Sequence, residues 1–248
     1  MIIARCSGIK KYFPIKRGYL KEGVGLVKAV DGVSIEIEKG CVFGLVGESG
    51  SGKTTLGKVI LGVLKPDAGQ VALETEKVQV IFQDPYNSLD PKMKVFDILA
   101  EGLAVNRGFD GMRKRVEDIL ELIKLPASAL DKYPHQFSGG ERQRIAIGRA
   151  LLTRPDLIVC DEPVSSLDVT IQLQILKLLK EMRERFNITY LFISHDLRVV
   201  RFICDRIAVM KDGRIVEEGN TSDIYSHPKH PYTKLLLSSV LDIYPNKA

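Results

Sequence analysis

The sequence predicts an α/β fold built around a parallel β-sheet. Two kinds of segment indicate this fold: short continuous apolar runs, typical of strands buried on both faces, and a longer amphipathic stretch between two of them. The runs are Cys41–Gly47, Leu157–Cys160 and Ile188–Ser194, and the amphipathic stretch is Ile171–Phe186. Strand–helix–strand order of this kind favours parallel strands, because a parallel pair needs a long crossover connection.

The N-terminal elements follow from hydropathy and from helix breakers. A Lys- and Gly-rich loop is predicted over Lys16–Gly25, and the alternation of Val33–Glu38 predicts a strand with one exposed face. Thr54–Leu64 predicts a helix that ends before Pro66, because proline does not continue a helix. Leu73–Phe82 predicts further short strands.

The middle of the chain predicts a mostly helical insertion over roughly residues 85–152. It opens with a segment rich in Pro, Asn and Ser and then acquires helical periodicity. Apolar side chains of one helix share a face: Val116, Ile119, Leu120 and Ile123.

Composition and charge exclude several classes of protein. Hydrophobic residues make up 45% of the 248 residues and charged residues 27%, as in an ordinary folded protein rather than a disordered or collagen-like one. The net charge of +5 is spread along the chain, which argues against nucleic acid as a partner. No uncharged apolar run approaches the roughly 18 residues of a membrane span. The cysteines form no CxxC pair and are expected to be buried, reduced thiols: Cys6, Cys41, Cys160 and Cys204.

A glycine-rich segment between a predicted strand and a predicted helix fits the pattern GxxxxGK[ST]. Its glycines allow backbone N–H groups to turn toward a phosphate, and the helix start adds positive partial charge. Lys53 can reach the β- and γ-phosphates, and the Thr54 hydroxyl can ligate Mg²⁺. The alternative is a turn that only joins strand to helix. The segment consists of Gly47, Glu48, Ser49, Gly50, Ser51, Gly52, Lys53 and Thr54.

Two carboxylates follow the apolar run Leu157–Cys160. Asp161, at the predicted strand tip, is expected to hold Mg²⁺, usually through water, and Glu162 to orient and polarise an attacking water molecule. The alternative is an acidic cap at a strand end. The glycine-rich segment upstream favours the catalytic interpretation.

The segment Ser138-Gly139-Gly140-Glu141 precedes another predicted helix. Two glycines and a serine at a helix start are typical of a second anion site. Ser138 with Glu141 three residues later also fits a capping box, which explains the same residues without a ligand.

Together these motifs resemble the nucleotide-binding domain of ATP-binding cassette (ABC) proteins, over essentially the whole chain. The resemblance implies a P-loop NTPase fold: a RecA-like core with an antiparallel β subdomain (1–84 and 153–248) and an inserted α-helical subdomain (85–152). It also implies that two cassettes sandwich two ATP molecules head to tail. Each ATP would lie between Gly47–Thr54 of one cassette and Ser138–Glu141 of the other.

The same resemblance assigns roles to single residues. Tyr12 would stack on adenine, with Phe13 as a less favoured substitute. Gln83 would contact Mg²⁺ and the attacking water, His195 would touch the γ-phosphate, and Asp168 would couple the two sites. The resemblance makes Glu162, His195 and Gln83 the catalytic group and Thr54, Gln83 and Asp161 the metal ligands. The nucleotide-binding set comprises Tyr12, Gly47, Glu48, Ser49, Gly50, Ser51, Gly52, Lys53, Thr54, Thr55, Ser138, Gly139, Gly140, Glu141 and Asp168.

Two further segments, Phe82–Pro91 and His227–Leu236, are similar to those of oligopeptide, dipeptide and nickel importers. The likeness implies a subunit that hydrolyses ATP to ADP and phosphate with Mg²⁺ and is peripheral on the cytoplasmic face of the membrane. Its partners would be membrane permease subunits, a second cassette and, indirectly, an extracytoplasmic substrate-binding protein. The alternative is a soluble ABC ATPase attached to a phosphonate-degrading enzyme complex. A P-loop kinase is disfavoured, because Ser138–Glu141 and His195 would then have no role.

Overall fold

The computed structural model of the chain describes residues 1–15, 25–104 and 111–239. They belong to two compact units: a first unit of Met1–Glu76 together with the chain from Thr189 onward, and a second unit, Lys77–Ile188. Of the predicted loop Lys16–Gly25, only Gly25 is among the described residues.

One sheet of the first unit is antiparallel. Strand β1 (Ile2–Ile15) pairs with β2 (Gly25–Glu38) on one side and with β4 (Ala68–Leu73) on the other. Over the predicted strand Val33–Glu38 the side chains alternate between buried and exposed, as the sequence pattern predicts.

The first unit also contains a mainly parallel group of strands. Strand β3 (Val42–Val46) lies between β7 (Thr189–Ser194) and β8 (Arg206–Lys211), parallel to both, and β9 (Arg214–Asn220) pairs antiparallel with β8. Every residue of β3 and β7 is buried, which confirms the two apolar runs as buried strands.

The helices of the first unit are short. They are α1 (Lys53–Ile60), α7 (Leu197–Ile203), α8 (Thr221–Ser226) and α9 (Pro231–Ser238). The prediction of a helix up to Leu64 was wrong at its end. Gly62 has a φ of 72°, in the left-handed region that ends helices, although Val63 and Leu64 continue the apolar sequence.

The second unit is mostly helical, with one parallel strand pair. Strands β5 (Val78–Ile81) and β6 (Leu157–Asp161) pair in register, with Ile81 opposite Cys160. The helices are α2 (Pro85–Ser88), α3 (Val95–Ala104), α4 (Met112–Leu122), α5 (Gly139–Leu152) and α6 (Val169–Phe186), with two short 3-10 turns, Ala127–Ala129 and Pro134–Gln136. The predicted apolar face of Val116, Ile119, Leu120 and Ile123 is buried.

The cysteines and the hydropathy of the helices were both predicted from the sequence. None of the four cysteines forms a disulfide, as predicted. Cys6, Cys160 and Cys204 are buried, whereas the prediction of burial was wrong for Cys41, which is partly exposed at the residue before β3. In the described part of the chain, no helix is both long enough and apolar enough to cross a membrane.

Candidate nucleotide-binding and hydrolysis site

The glycine-rich segment connects β3 to α1, as its sequence context requires. Gly52, at the start of α1, has a φ of 106°, and a Cβ built there would lie 1.9 Å from the carbonyl oxygen of Ala29. A Cβ on Gly47 would lie 2.1 Å from the carbonyl oxygen of Met210. These close approaches exclude a side chain at either position, so the loop follows this path only with glycine.

Lys53 directs its charge into the loop. The residue is 4% exposed, and its Nζ donates hydrogen bonds to the carbonyl oxygens of Gly47 at 2.8 Å and Glu48 at 2.7 Å. A buried ammonium needs such acceptors, because an isolated charge is costly to bury. The amino group is thereby placed among the backbone groups that a phosphate would contact.

Two further contacts hold the loop from other elements of the first unit. The Ser51 carbonyl accepts a hydrogen bond at 3.0 Å from the N–H of Gly213, in the turn between β8 and β9. The Glu48 N–H donates to the Tyr232 hydroxyl at 3.2 Å. The sequence patterns predicted neither contact, although Tyr232 lies in the His- and Pro-containing segment that they singled out.

His195 follows β7 at the edge of the sheet where the glycine-rich loop begins. Because β3 and β7 are parallel and Val46 pairs with Ser194, the loop and His195 leave the sheet at the same end. His195 is exposed there. This placement agrees with a group that meets a ligand held by the loop.

Tyr12 is held by its hydroxyl, which donates to Asp31 Oδ1 at 2.6 Å. Arg214 Nη2 donates to the other carboxylate oxygen at 2.6 Å. The bond from Tyr12, followed by the contact with Arg214, lowers the pKa of Asp31 to about 2. The Lys28 ammonium lies 5.8 Å from the Tyr12 ring centroid, and adenine stacking on that ring stays a prediction.

In the second unit, Gln83 and Glu162 meet at the carboxyl ends of β5 and β6. Gln83 Nε2 donates to Glu162 Oε2 at 3.2 Å. Glu162 has a φ of 49°, a conformation that costs free energy for a residue with a side chain and is found often at functional sites. The N–H and the hydroxyl of Ser165 both donate to the Glu162 carbonyl, which holds this turn. Asp161 is the last residue of β6.

The segment Ser138–Glu141 forms the capping box of the alternative interpretation. The Glu141 N–H donates to Ser138 Oγ at 3.4 Å, and the Ser138 N–H donates to Glu141 Oε2 at 2.9 Å, to which the Ser138 hydroxyl also donates at 2.7 Å. The hydrogen bond from Ser138 lowers the pKa of Glu141. A Cβ on Gly140 would lie 2.5 Å from Ile171 Cγ2, so glycine there allows close packing of α5 on α6. The anion-binding role of this helix start stays a prediction.

Asp168 has a local role as well. Its Oδ1 accepts a hydrogen bond from the Ile171 N–H at 3.0 Å, as the N-cap of α6. Coupling of two nucleotide sites through Asp168 stays a prediction.

Helix α5 holds the segment that follows Gln83. The Arg142 guanidinium lies 3.7 Å from the Tyr86 ring centroid, and Arg149 donates to the Ser88 carbonyl at 2.7 Å. Both arginines are on α5, and both contacts were absent from the sequence expectations because they join residues 56 and 61 positions apart.

Comparison with known proteins decides the family. A sequence model described as "ABC transporter" matches residues 30–165. The chain belongs to the ABC transporter family. A second model, described as the C-terminal region of oligopeptide/dipeptide transporters, matches residues 216–248.

Curated relatives of this ABC protein match almost its full length. A dipeptide transport ATP-binding protein of Haemophilus influenzae is 43% identical over 96% of this chain and 78% of its own. An oligopeptide transport ATP-binding protein of Bacillus subtilis is 47% identical over 96% of this chain and 78% of its own. ABC cassettes hydrolyse ATP to power transport, so the predicted ATPase activity is confirmed at the level of the family.

Solved ABC cassettes confirm the predicted fold class. An ATP-binding cassette of an ABC transporter in its ADP conformation is 31% identical, with a TM-score of 0.78 over 95% of this chain and 99% of that one. A dimeric cassette in a post-hydrolysis state, bound to ADP and phosphate, is 27% identical, with a TM-score of 0.75 over 88% and 99%. The α/β fold is therefore that of a P-loop NTPase.

Proposed function

We propose that this ABC cassette is the ATP-hydrolysing subunit of an importer for short peptides. The observation that favours peptides is the match of residues 216–248 to the C-terminal region of oligopeptide/dipeptide transporters. Relatives named for dipeptide and oligopeptide transport at 43% and 47% identity support the same substrate class over nickel. They also favour a transporter over the phosphonate-degrading complex.

The nucleotide is bound by the glycine-rich loop of the first unit. The loop supplies backbone N–H groups and the Lys53 ammonium for the phosphates, and Tyr12 supplies an aromatic face for adenine. In a pair of cassettes, the start of α5 at Ser138–Glu141 provides a second set of N–H groups for the γ-phosphate of the partner's ATP. The capping box leaves this role possible because a helix start has more N–H groups than one side chain can satisfy.

Hydrolysis is assigned to Glu162. Its carboxylate is oriented by Gln83 at 3.2 Å and by the anchored turn at Ser165, which suits a group that must direct a water molecule. His195, at the edge where the loop begins, is assigned to the γ-phosphate.

The implied Mg²⁺ fits the oxygen donors that the resemblance assigns to it. Thr54 offers a hydroxyl, Asp161 a carboxylate and Gln83 an amide oxygen, the hard donors that Mg²⁺ prefers. When bound, the ion would neutralise charge on the β- and γ-phosphates. Binding and orientation of the nucleotide would remain the work of the glycine-rich loop and Lys53.

The partners are those of an importer. A second cassette completes each site, permease subunits receive the motion, and an extracytoplasmic binding protein delivers the peptide. The cassette would lie on the cytoplasmic face of the membrane, where ATP is available. The dimeric cassette among its structural relatives supports the pairing.

The substitution Glu162→Gln tests the hydrolysis site. It keeps the hydrogen-bonding shape of the side chain but removes its charge and basicity, so ATP should still bind while phosphate release falls by roughly 100-fold or more. Phosphate release and ATP affinity of the purified protein measure the two effects. Light scattering with ATP and Mg²⁺ should show the variant as a dimer.

Glu181→Gln is the matched control, because Glu181 is a carboxylate of the same unit that pairs with Lys124 on the surface. It should hydrolyse ATP at the rate of the unmodified protein. Unchanged phosphate release by Glu162→Gln would move the base elsewhere, first to His195. A monomer at saturating ATP and Mg²⁺ would contradict self-pairing and favour a different cassette as partner.

A further inference from the structure

The C-terminal segment of the first unit contacts the glycine-rich loop through one hydroxyl. Tyr232, near the start of α9, is 5% exposed, and its hydroxyl accepts a hydrogen bond from the Glu48 N–H at 3.2 Å. The carbonyl of the same peptide group, that of Gly47, accepts from Lys53 Nζ at 2.8 Å. The peptide between Gly47 and Glu48 is thus held on one side by Tyr232 and on the other by the lysine assigned to the phosphates.

Tyr232 is itself held in place by the turn before it. The Glu217 carboxylate, on β9, accepts hydrogen bonds from the N–H groups of Lys229 at 2.8 Å and His230 at 3.0 Å. His230 caps α9, with Nδ1 accepting from the Tyr232 N–H at 3.1 Å, and Pro231 occupies the first turn. Glu217, His230 and Pro231 therefore fix the backbone from which the Tyr232 side chain extends.

The Tyr232 ring is buried and lies close to a cation. Burial raises the pKa of Tyr232. The Lys211 ammonium lies 4.7 Å from the ring centroid, which adds a cation–π contact on the ring face. A buried tyrosine hydroxyl normally has a hydrogen-bond partner. Here Glu48 of the glycine-rich loop is that partner, through its backbone N–H and also through its side chain.

We propose that Tyr232 is a positioning residue for nucleotide binding: its hydroxyl fixes the Gly47–Glu48 peptide and, through it, the Lys53 ammonium. The inference rests on the proposed function, because it takes the glycine-rich loop as the nucleotide site. The C-terminal segment thereby contributes to ATP binding. Since the phosphates contact the loop both before and during hydrolysis, Tyr232 acts on binding rather than on the chemical step.

The test replaces Tyr232 by Phe, which removes the hydroxyl and keeps the ring. The Kd for ATP with Mg²⁺, measured by calorimetry, should rise roughly three- to tenfold, the loss expected for one neutral hydrogen bond. The KM for ATP should rise in parallel, with kcat changed by no more than about twofold.

Tyr225→Phe is the matched control. Tyr225 is a partly buried tyrosine of the same unit whose hydroxyl donates to the Leu197 carbonyl, so its removal costs a similar bond away from the loop. Its Kd for ATP should stay at the unmodified value, and thermal unfolding of both variants separates stability from binding. Equal effects of the two substitutions on Kd, or no effect of Tyr232→Phe, would overturn the proposal.

A second pair of variants tests the turn. His230→Ala removes the cap of α9 and should weaken ATP binding, as Tyr232→Phe does. His230→Asn keeps a good N-cap and should bind ATP like the unmodified protein. Weakening by both substitutions to the same degree would contradict the positioning role.

Lys53→Ala separates this inference from the proposed function. If Lys53→Ala loses ATP binding while Tyr232→Phe keeps it, only the role of Tyr232 fails. If Lys53→Ala binds ATP like the unmodified protein, the loop itself is not the nucleotide site.

Discussion

Lys53 and Glu162 are held in position by different kinds of neighbour. Lys53 is fixed by backbone carbonyls of the glycine-rich loop, so its place depends on the path of the chain. Glu162 contacts the Gln83 side chain and has a left-handed backbone conformation, which the hydrogen bonds from Ser165 to its carbonyl maintain. Substitution of Gln83 should therefore disturb the carboxylate, whereas the lysine depends on the glycines around it.

A pH-dependent contribution to stability comes from Asp31. The hydrogen bond from Tyr12 and the contact with Arg214 lower its pKa to about 2, so the folded protein favours the charged carboxylate. This contribution is present above the ordinary aspartate pKa of about 4 and is lost as the pH falls toward 2. The free energy of unfolding in urea should therefore differ more between the unmodified protein and Asp31→Asn at pH 5.5 than at pH 3.

Asp131→Asn is the control for that comparison, since Asp131 is an exposed carboxylate with only a loose pair to Lys94 at 3.6 Å. Its difference from the unmodified protein should be small at both pH values. A difference for Asp31→Asn that stays constant from pH 5.5 to pH 3 would contradict the account of Asp31.

Among the elements, we expect the short helix α2 to transmit motion. Its N-cap, Asp84, directly follows Gln83. Two contacts join it to α5: Tyr86 with Arg142, and the Ser88 carbonyl with Arg149. Gln83 in turn contacts Glu162. We expect a stiff connection between the hydrolysis site and the helical part of the second unit to convert nucleotide state into a rotation of helices.

Replacing Tyr86–Ser88 by Gly and Ser tests this connection and leaves the buried Leu89 in place. The basal ATPase rate of the isolated protein should change by no more than about twofold, because no group assigned to the chemistry is removed. Peptide uptake and stimulation of the ATPase by permease should be lost in reconstituted vesicles. Tyr133→Ser, at another exposed aromatic of the same unit, is the control, and uptake at the unmodified rate with the replaced segment would refute the coupling role.

The elements show why some of the fold could be predicted from the sequence. Strands β3 and β7 are buried on both faces, so each leaves a continuous apolar run that is easy to identify. The end of α1 was missed because the apolar pattern continues past Gly62, while the backbone leaves the helix there. The backbone conformation of Gly62 therefore ends the helix, although the hydropathy pattern continues.

Some features of the site lie within short stretches of sequence, and others depend on contacts between residues far apart in the chain. The glycine-rich loop and the pair of carboxylates are each a run of neighbouring residues, so the chemistry of each could be predicted from its own spacing. The contact between Glu48 and Tyr232, which are 184 residues apart, depends on which elements pack together. No local sequence pattern predicts such a contact. The capping box at Ser138 could be predicted, but its hydrogen bonds require no phosphate.

At the scale of the whole molecule, the groups assigned to ATP are shared between the two units. The first contains the glycine-rich loop, Tyr12 and His195, and the second contains Gln83, Asp161, Glu162 and Ser138–Glu141. The proposal therefore assigns nucleotide binding to residues of the first unit, and hydrolysis and the partner's nucleotide to residues of the second.

The most direct test of the account is peptide uptake into vesicles that contain this cassette and the membrane subunits with which it co-purifies. ATP and Mg²⁺ are supplied on the side of the cassette, a binding protein and a labelled short peptide on the other, and uptake is compared with that of the Glu162→Gln complex. The account predicts ATP-dependent accumulation of peptide by the unmodified complex and background uptake by the variant, although both complexes assemble. Equal uptake by the two complexes, or co-purification with soluble enzymes in place of membrane subunits, would contradict it.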